Sequence, residues 1–187
     1  MSLYPVNTVS HSLRRIRRIS HLMVLACWLL VLLLPVALVV HWAGASTAEL
    51  AHRADLAPGT LLQPLQAWQR WIAGSISAIP LGLLLVGVWQ AKRCFEQFAQ
   101  GLVFTEQATG LLRRFAGWVA AAALAAILCG AAISVLLTLH NPPGMRMLSV
   151  SISSQHVFTS FFAGLVWLMA AVIGQGQALA EENEHFV

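Results

Sequence analysis

Negative charge is scarce in this chain: seven Asp and Glu residues stand among 187, and none falls within its four longest apolar runs. That removes the intramembrane carboxylates on which proton relays and buried counter-ions depend. Lysine occurs once, at Lys92, against ten arginines. The three cysteines, Cys27, Cys94 and Cys129, are odd in number and show no CxxC spacing, so neither a disulfide framework nor a zinc site follows. HExxH, GxSxG and a phosphate-binding loop are all missing, which leaves an enzyme the least supported class and implies no cofactor. The hydroxyls inside the apolar runs (Ser75, Ser77, Ser134, Thr159, Ser160) are expected to bond to backbone or to a neighbouring helix rather than to act as nucleophiles.

What is present in quantity is apolar length. The chain is 58% hydrophobic and 10% charged, with mean hydropathy +0.74. Uncharged stretches cover about residues 22–40, 71–91, 115–139 and 157–178. A helix of roughly 20 apolar residues matches the hydrocarbon thickness of a bilayer. Soluble helices instead keep a polar face. The fold class expected is an all-α membrane protein with four transmembrane helices, residues 1–187 forming a single integral membrane domain. Its net charge of +4 belongs to residues flanking the spans and is no nucleic-acid footprint.

Orientation follows from the basic residues in short connections. Arg14, Arg15, Arg17, Arg18, Lys92, Arg93, Arg113 and Arg114 fall on one side, against Arg53, Arg70 and Arg146 on the other. Both termini and the connection between spans two and three are therefore expected on the cytoplasmic side of the membrane. Ala43-Gly44-Ala45 has signal-cleavage chemistry, but the preceding apolar core exceeds the roughly 7–15 residues of a signal peptide, so the first span is read as a retained anchor.

Local signals fill in the connections. Ser12 is a cap for a short basic helix carrying Leu13, Ile16 and Ile19, and Pro35 and Pro80 are expected to kink spans one and two. Ser46-Thr47-Ala48-Glu49 reads as a capping box, opening a helix that stops near Ala57 before the Pro58-Gly59 turn. Trp42, Trp68 and Trp71 suit an interfacial aromatic belt. Small residues recur every four positions in three rows: Gly74, Ala78, Gly82; Ala122, Ala126, Gly130, Ser134; and Ala170, Gly174, Ala178. Such rows let helices approach closely, as in one four-helix bundle, and also allow a homodimer face. After the Asn141–Gly144 turn, Leu148, Val150 and Ile152 alternate with serines, the period of an extended segment that needs a partner strand. His41, His140 and His156 all approach the outer interface, where imidazoles bind metals or register pH; they are the weak metal candidates, without an HxH or HxxxH pair.

The segment between spans two and three reads as a cytoplasmic helical hairpin. Phe95, Phe98 and Leu102 continue span two, Gly101 is placed to end it in a left-handed cap, and Thr105 caps the next helix with Glu106 against its dipole. Cys94 is expected to be a reactive thiol beside Lys92 and Arg93, or else to face the hairpin seam beside Phe95 and Phe98. The acidic tail Glu181, Glu182 and Glu184 lies on the same side and either is solvated or docks on the basic hairpin.

Phe95, Phe98, Ala99, Gly101, Val103, Phe104 and Thr105, followed by Leu112, Arg113 and Phe115, resemble the uncharacterised bacterial membrane family called domain of unknown function two-nine-seven-five. The ending is similar too, in Gly176, Leu179, Glu181, Glu182, Asn183, Glu184 and Val187, although His185-Phe186 replaces the family's frequent Leu-Thr. The resemblance implies the four-span layout and no established activity. Because members are often encoded beside a small helix-turn-helix regulator, it also implies a cytoplasmic protein partner. The expected function is thus a regulatory or sensory membrane partner of such a protein, held by Phe95, Phe98, Gly101, Phe104, Thr105, Arg113, Arg114, Glu181, Glu182 and Glu184. The rival expectation is a small permease or transporter subunit, with Pro80 beside Gly82 as the only plausible break in a span.

Overall fold

The computed structural model describes residues 6–46, 49–50, 66–102, 105–142, 146 and 148–184, with side chains described between 17 and 177 of these. Four helices account for most of them: α1 (Val6–Gly44), α2 (Ala67–Ala99), α3 (Glu106–Leu137) and α4 (Ser154–Glu184). Each contains a segment long and apolar enough to cross a membrane, and no strand occurs among the described residues. At 1.5 Å per residue the 33-residue α2 is about 50 Å long, well beyond the roughly 30 Å hydrocarbon core. Part of the α2–α3 hairpin must therefore stand outside the apolar layer. The α2–α3 turn, the start of α1 and the end of α4 share one end of the molecule (the hairpin end). The connections after α1 and after α3 share the other (the loop end).

The helices do not close into the expected bundle. Each packs against its neighbour in the chain, α1 on α2, α2 on α3 and α3 on α4, and no other pair is in substantial contact among the described residues. The result is an open row whose outermost members each have one partner. Buried positions recur at sevens: Ser20 and Cys27 on α1, Ala73, Gly87 and Cys94 on α2, Thr109, Ala116, Ala123 and Leu137 on α3, and Ala163 and Ala170 on α4. A seven-residue seam is the period at which helices pack side by side with a left-handed twist. The broad apolar remainder, including Leu29, Leu32, Leu33, Phe158, Phe161 and Met169, is exposed. That is the distribution expected where lipid tails rather than protein cover the helices.

The small-residue rows only partly coincide with these seams. A side chain at Gly82, Gly130 or Gly174 would meet nothing within 4 Å. The closest approach is at Gly87, where a Cβ would lie 3.2 Å from the Trp118 Cβ and 3.6 Å from the Phe115 carbonyl oxygen. Gly87 belongs to none of the rows read from the sequence. Those rows recorded small residues on any face, whereas only the face turned toward a neighbour has to be small.

The turns follow their local chemistry. Gly101 has φ +86°, the left-handed conformation in which Cβ would be strained. The Leu102 N–H donates to the Gln97 carbonyl at 3.0 Å and the Gly101 N–H to that of Phe98 at 3.1 Å, the paired bonds of a Schellman ending. The Thr105 hydroxyl then accepts from the Ala108 N–H at 3.2 Å, opening α3 as expected. Ser46 likewise accepts from the Glu49 N–H at 3.2 Å, while the helix stop near Ala57 lies outside the described residues. Ser12 is not a cap, because α1 already begins at Val6, and both α1 and α2 continue through their prolines.

At the loop end, Gln69 joins two helices. It is 3% exposed, and its amide Nε2 donates to the Leu136 carbonyl and to Nδ1 of His140, each at 3.2 Å, while its Oε1 accepts from the Gln66 N–H at 3.0 Å. Nearby, the Ser134 hydroxyl donates to the Ala131 carbonyl at 2.8 Å and accepts from the Ser149 N–H at 3.0 Å. The expected extended segment is thus tied to α3 by a serine, and among the described residues it pairs with no strand. Its Leu148, Val150 and Ile152 side chains stay exposed.

Candidate functional site

The hairpin end carries a concentration of charged and polar groups that the spans lack. Arg93, Glu96, Gln97 and Gln100 recur along α2 at three- and four-residue steps, and Glu106, Gln107, Gly110 and Arg114 do so along α3. This spacing keeps each set on one helix face. Closed by the Gly101 turn, the two faces line a groove of about 680 Å³. Gln97 Nε2 donates to Gln107 Oε1 at 3.3 Å across the hairpin, while Gln97 Oε1 is buried with no partner.

A second cleft, of about 450 Å³, lies on the other side of α3 against α4. It shares Glu106 and Gly110 with the groove and adds Arg113 and Gln177, whose Nε2 is also buried and unpartnered. The first turns of α3 are therefore flanked by a recess on both sides.

Cations here have packing roles as well as a topological one. Lys92, 9% exposed, sits 4.5 Å from the Trp89 ring centroid and 5.1 Å from that of Trp28, and pairs with Glu96 at 2.9 Å. The two indoles meet edge to face at 5.8 Å, so the sole lysine ties α1 to α2. Arg113 lies 5.4 Å from the Trp167 ring centroid and ties α3 to α4 in the same way.

The sequence-derived site residues divide accordingly. Arg114 lines the groove and Arg113 the second cleft. Phe95 and Phe98 stack edge to face at 6.3 Å and are half-buried, and Gly101 and Thr105 form the turn itself, so these four build the hairpin. Phe104 lies outside the described residues, as do the side chains of Glu181, Glu182 and Glu184, although α4 runs on through Glu184. Sequence reasoning missed Arg93, Glu96, Gln97, Gln100 and Gln107; their helical spacing on both sides of Gly101 was the available signal.

The three histidines are not brought together. His41 is next to the Trp42 ring at 6.0 Å, His140 joins Gln69 and lies 5.8 Å from Trp68, and the Ser153 hydroxyl is 2.9 Å from His156 Nδ1. Among the described residues no group of three or more His, Cys, Asp or Glu is placed to hold a metal ion.

Cys94 corrects the expectation of a reactive thiol. It is 1% exposed, and its Sγ faces the Ala108 carbonyl at 3.6 Å across the hairpin seam. The basic neighbours point elsewhere, and burial withholds the sulfur from reagents. Maleimide is expected to leave Cys94 unmodified in the folded protein and to react once detergent denatures it. With Cys94→Ala in place, Gln100→Cys, at an exposed position beside the same seam, should label at least tenfold faster than Cys94 does in the native chain. Equal rates, followed by mass spectrometry, would show that the seam is open.

A family model described as "Protein of unknown function (DUF2975)" matches residues 58–187. No curated protein and no solved structure shows a significant match.

Proposed function

Because the chain belongs to the family described as protein of unknown function (DUF2975), whose description assigns no activity, we propose from its own geometry that it is a regulatory or sensory membrane protein holding a cytoplasmic protein at its hairpin. The observation that carries this reading is the groove between α2 and α3, with Arg93 and Arg114, Glu96 and Glu106, and the unpaired Gln97 acceptor on its walls. Charges of both signs suit a polar protein surface better than a small apolar ligand. The hairpin end holds eight of the eleven basic residues, which supports placing it and both termini in the cytoplasm of a bacterial inner-membrane protein. A small helix-turn-helix regulator is the partner we favour, and the role is binding rather than catalysis.

The test is site-directed photocrosslinking in native membranes, with a benzophenone amino acid replacing Gln100. A discrete adduct with one soluble protein is expected, reduced at least tenfold when Arg93→Glu and Arg114→Glu are combined. The same probe at Trp71, at the loop end, should not form that adduct. An adduct indifferent to the charge reversals, or one formed equally from Trp71, would overturn the proposal.

A further inference from the structure

At the loop end, α1 and α2 separate to leave a slot of about 430 Å³ that the groove and its chemistry do not involve. Leu38 and Trp42 line it from α1, and Arg70, Trp71, Gly74 and Ala78 from α2. Its wall is set by Trp42, whose indole Cγ lies 3.4 Å from where a Gly74 Cβ would stand. A Cβ there would stand in ordinary van der Waals contact with the ring, and glycine leaves that space to the slot.

Two features give the slot a direction. Arg70, Gly74 and Ala78 follow one another at i, i+4 and i+8, so they share a helix face over about 12 Å. Charge is confined to one end of this line: Arg70 stands near the start of α2, and the lining toward Ala78 and Leu38 is uncharged, with the Ser75 hydroxyl turned back onto the Trp71 carbonyl at 2.9 Å. Arg70 is half-buried and has no acidic partner among the described residues, whose ion pair is Lys92–Glu96. A guanidinium partly removed from water is costly until an anion meets it, and its planar fork matches phosphate oxygens. Trp68 and Trp71, exposed beside it, are residues that settle at headgroup level.

We propose that this slot binds an anionic phospholipid of the leaflet at the loop end, its phosphate on Arg70 and one acyl chain lying along Gly74 and Ala78 between α1 and α2. A free anion would leave the apolar part unused, and a neutral hydrocarbon would leave Arg70 without a counter-charge. One amphiphile satisfies both ends of the slot.

Native mass spectrometry of the full chain, released from nanodiscs of mixed phosphatidylglycerol and phosphatidylcholine, tests this. The unmodified protein is expected to retain one phosphatidylglycerol, in preference to phosphatidylcholine, with millimolar glycerol phosphate failing to displace it. Arg70→Gln should reduce retention at least tenfold by removing the phosphate contact. Ala78→Phe should do the same by filling the tail end, at an exposed position where folding tolerates bulk. Thermal melting of both variants in detergent guards against misfolding, and Ala78→Leu replaces Ala78→Phe if the latter melts early. Retention unchanged in Arg70→Gln and in the Ala78 variant would overturn the proposal and point to the chain's own connection or a second copy as what covers the slot. Equal retention of phosphatidylcholine, or displacement by glycerol phosphate, would overturn it as well.

Discussion

Gly87→Leu is expected to uncouple α2 from α3, whereas Gly82→Leu, five residues away in the same helix, should be silent. The space around Gly87 is closed by the Trp118 Cβ at 3.2 Å and the Phe115 backbone oxygen at 3.6 Å, neither of which is the far end of a flexible side chain. A leucine there can be accommodated only by moving α3, and overpacking of this kind costs about 1–3 kcal/mol, occasionally more. For a chain of this size that corresponds to a fall in Tm of roughly 2–12 °C. A Cβ at Gly82 meets nothing within 4 Å, so its leucine faces lipid. Thermal denaturation of the detergent-solubilised protein, followed by the fraction still monodisperse after heating, measures both. Equal effects at the two positions would show that the α2–α3 seam is not where the structure puts it.

The second large effect is expected at Gln69→Leu. The volume is nearly conserved, but the Leu136 carbonyl, His140 Nδ1 and the Gln66 N–H each lose a partner. A buried polar group left bare costs about 1–3 kcal/mol, and Gln69 is itself almost fully enclosed. Gln69→Glu should destabilise at least as much, because a carboxylate still accepts from the Gln66 N–H but sets a second, charged acceptor against the Leu136 carbonyl in an enclosed site. Hydrogen exchange should localise the damage: amides near the end of α3 and the start of α2 lose protection, while the Gly101 turn keeps its own. Uniform loss across both helices would argue against a local latch.

Much of the hairpin was legible because its determinants are local. Gly101 and Thr105 specify the turn through their own backbone and hydroxyl chemistry, and the helix ending and cap formed where expected. The groove beside that turn was half legible: Arg114 was identified, but its α2 counterparts Arg93, Gln97 and Gln100 were not, since a helical stripe becomes a wall only when a second stripe faces it. Cys94 shows the same limit. Its neighbours in sequence are Lys92 and Arg93, yet its neighbour in space is Ala108, and the latter decides its reactivity.

Four helices long and apolar enough to cross a bilayer, and the asymmetry of basic charge, were legible in the sequence alone, because length and apolarity add up along the chain. Which helix faces which was decided only in the tertiary structure. In a run such as Leu22–Val40 every face is apolar, so no moment marks the seam; Cys27 is buried while Leu25, Leu29 and Leu32 remain exposed. Lipid tails solvate a leucine about as well as another helix does, and the choice falls to close backbone approach and a few polar ties. Gly87 against Trp118, Lys92 between Trp28 and Trp89, and Gln69 on Leu136 and His140 are those contacts. Their partners across each seam lie 31 to 71 residues away, and the helices stand in an open row rather than a closed bundle.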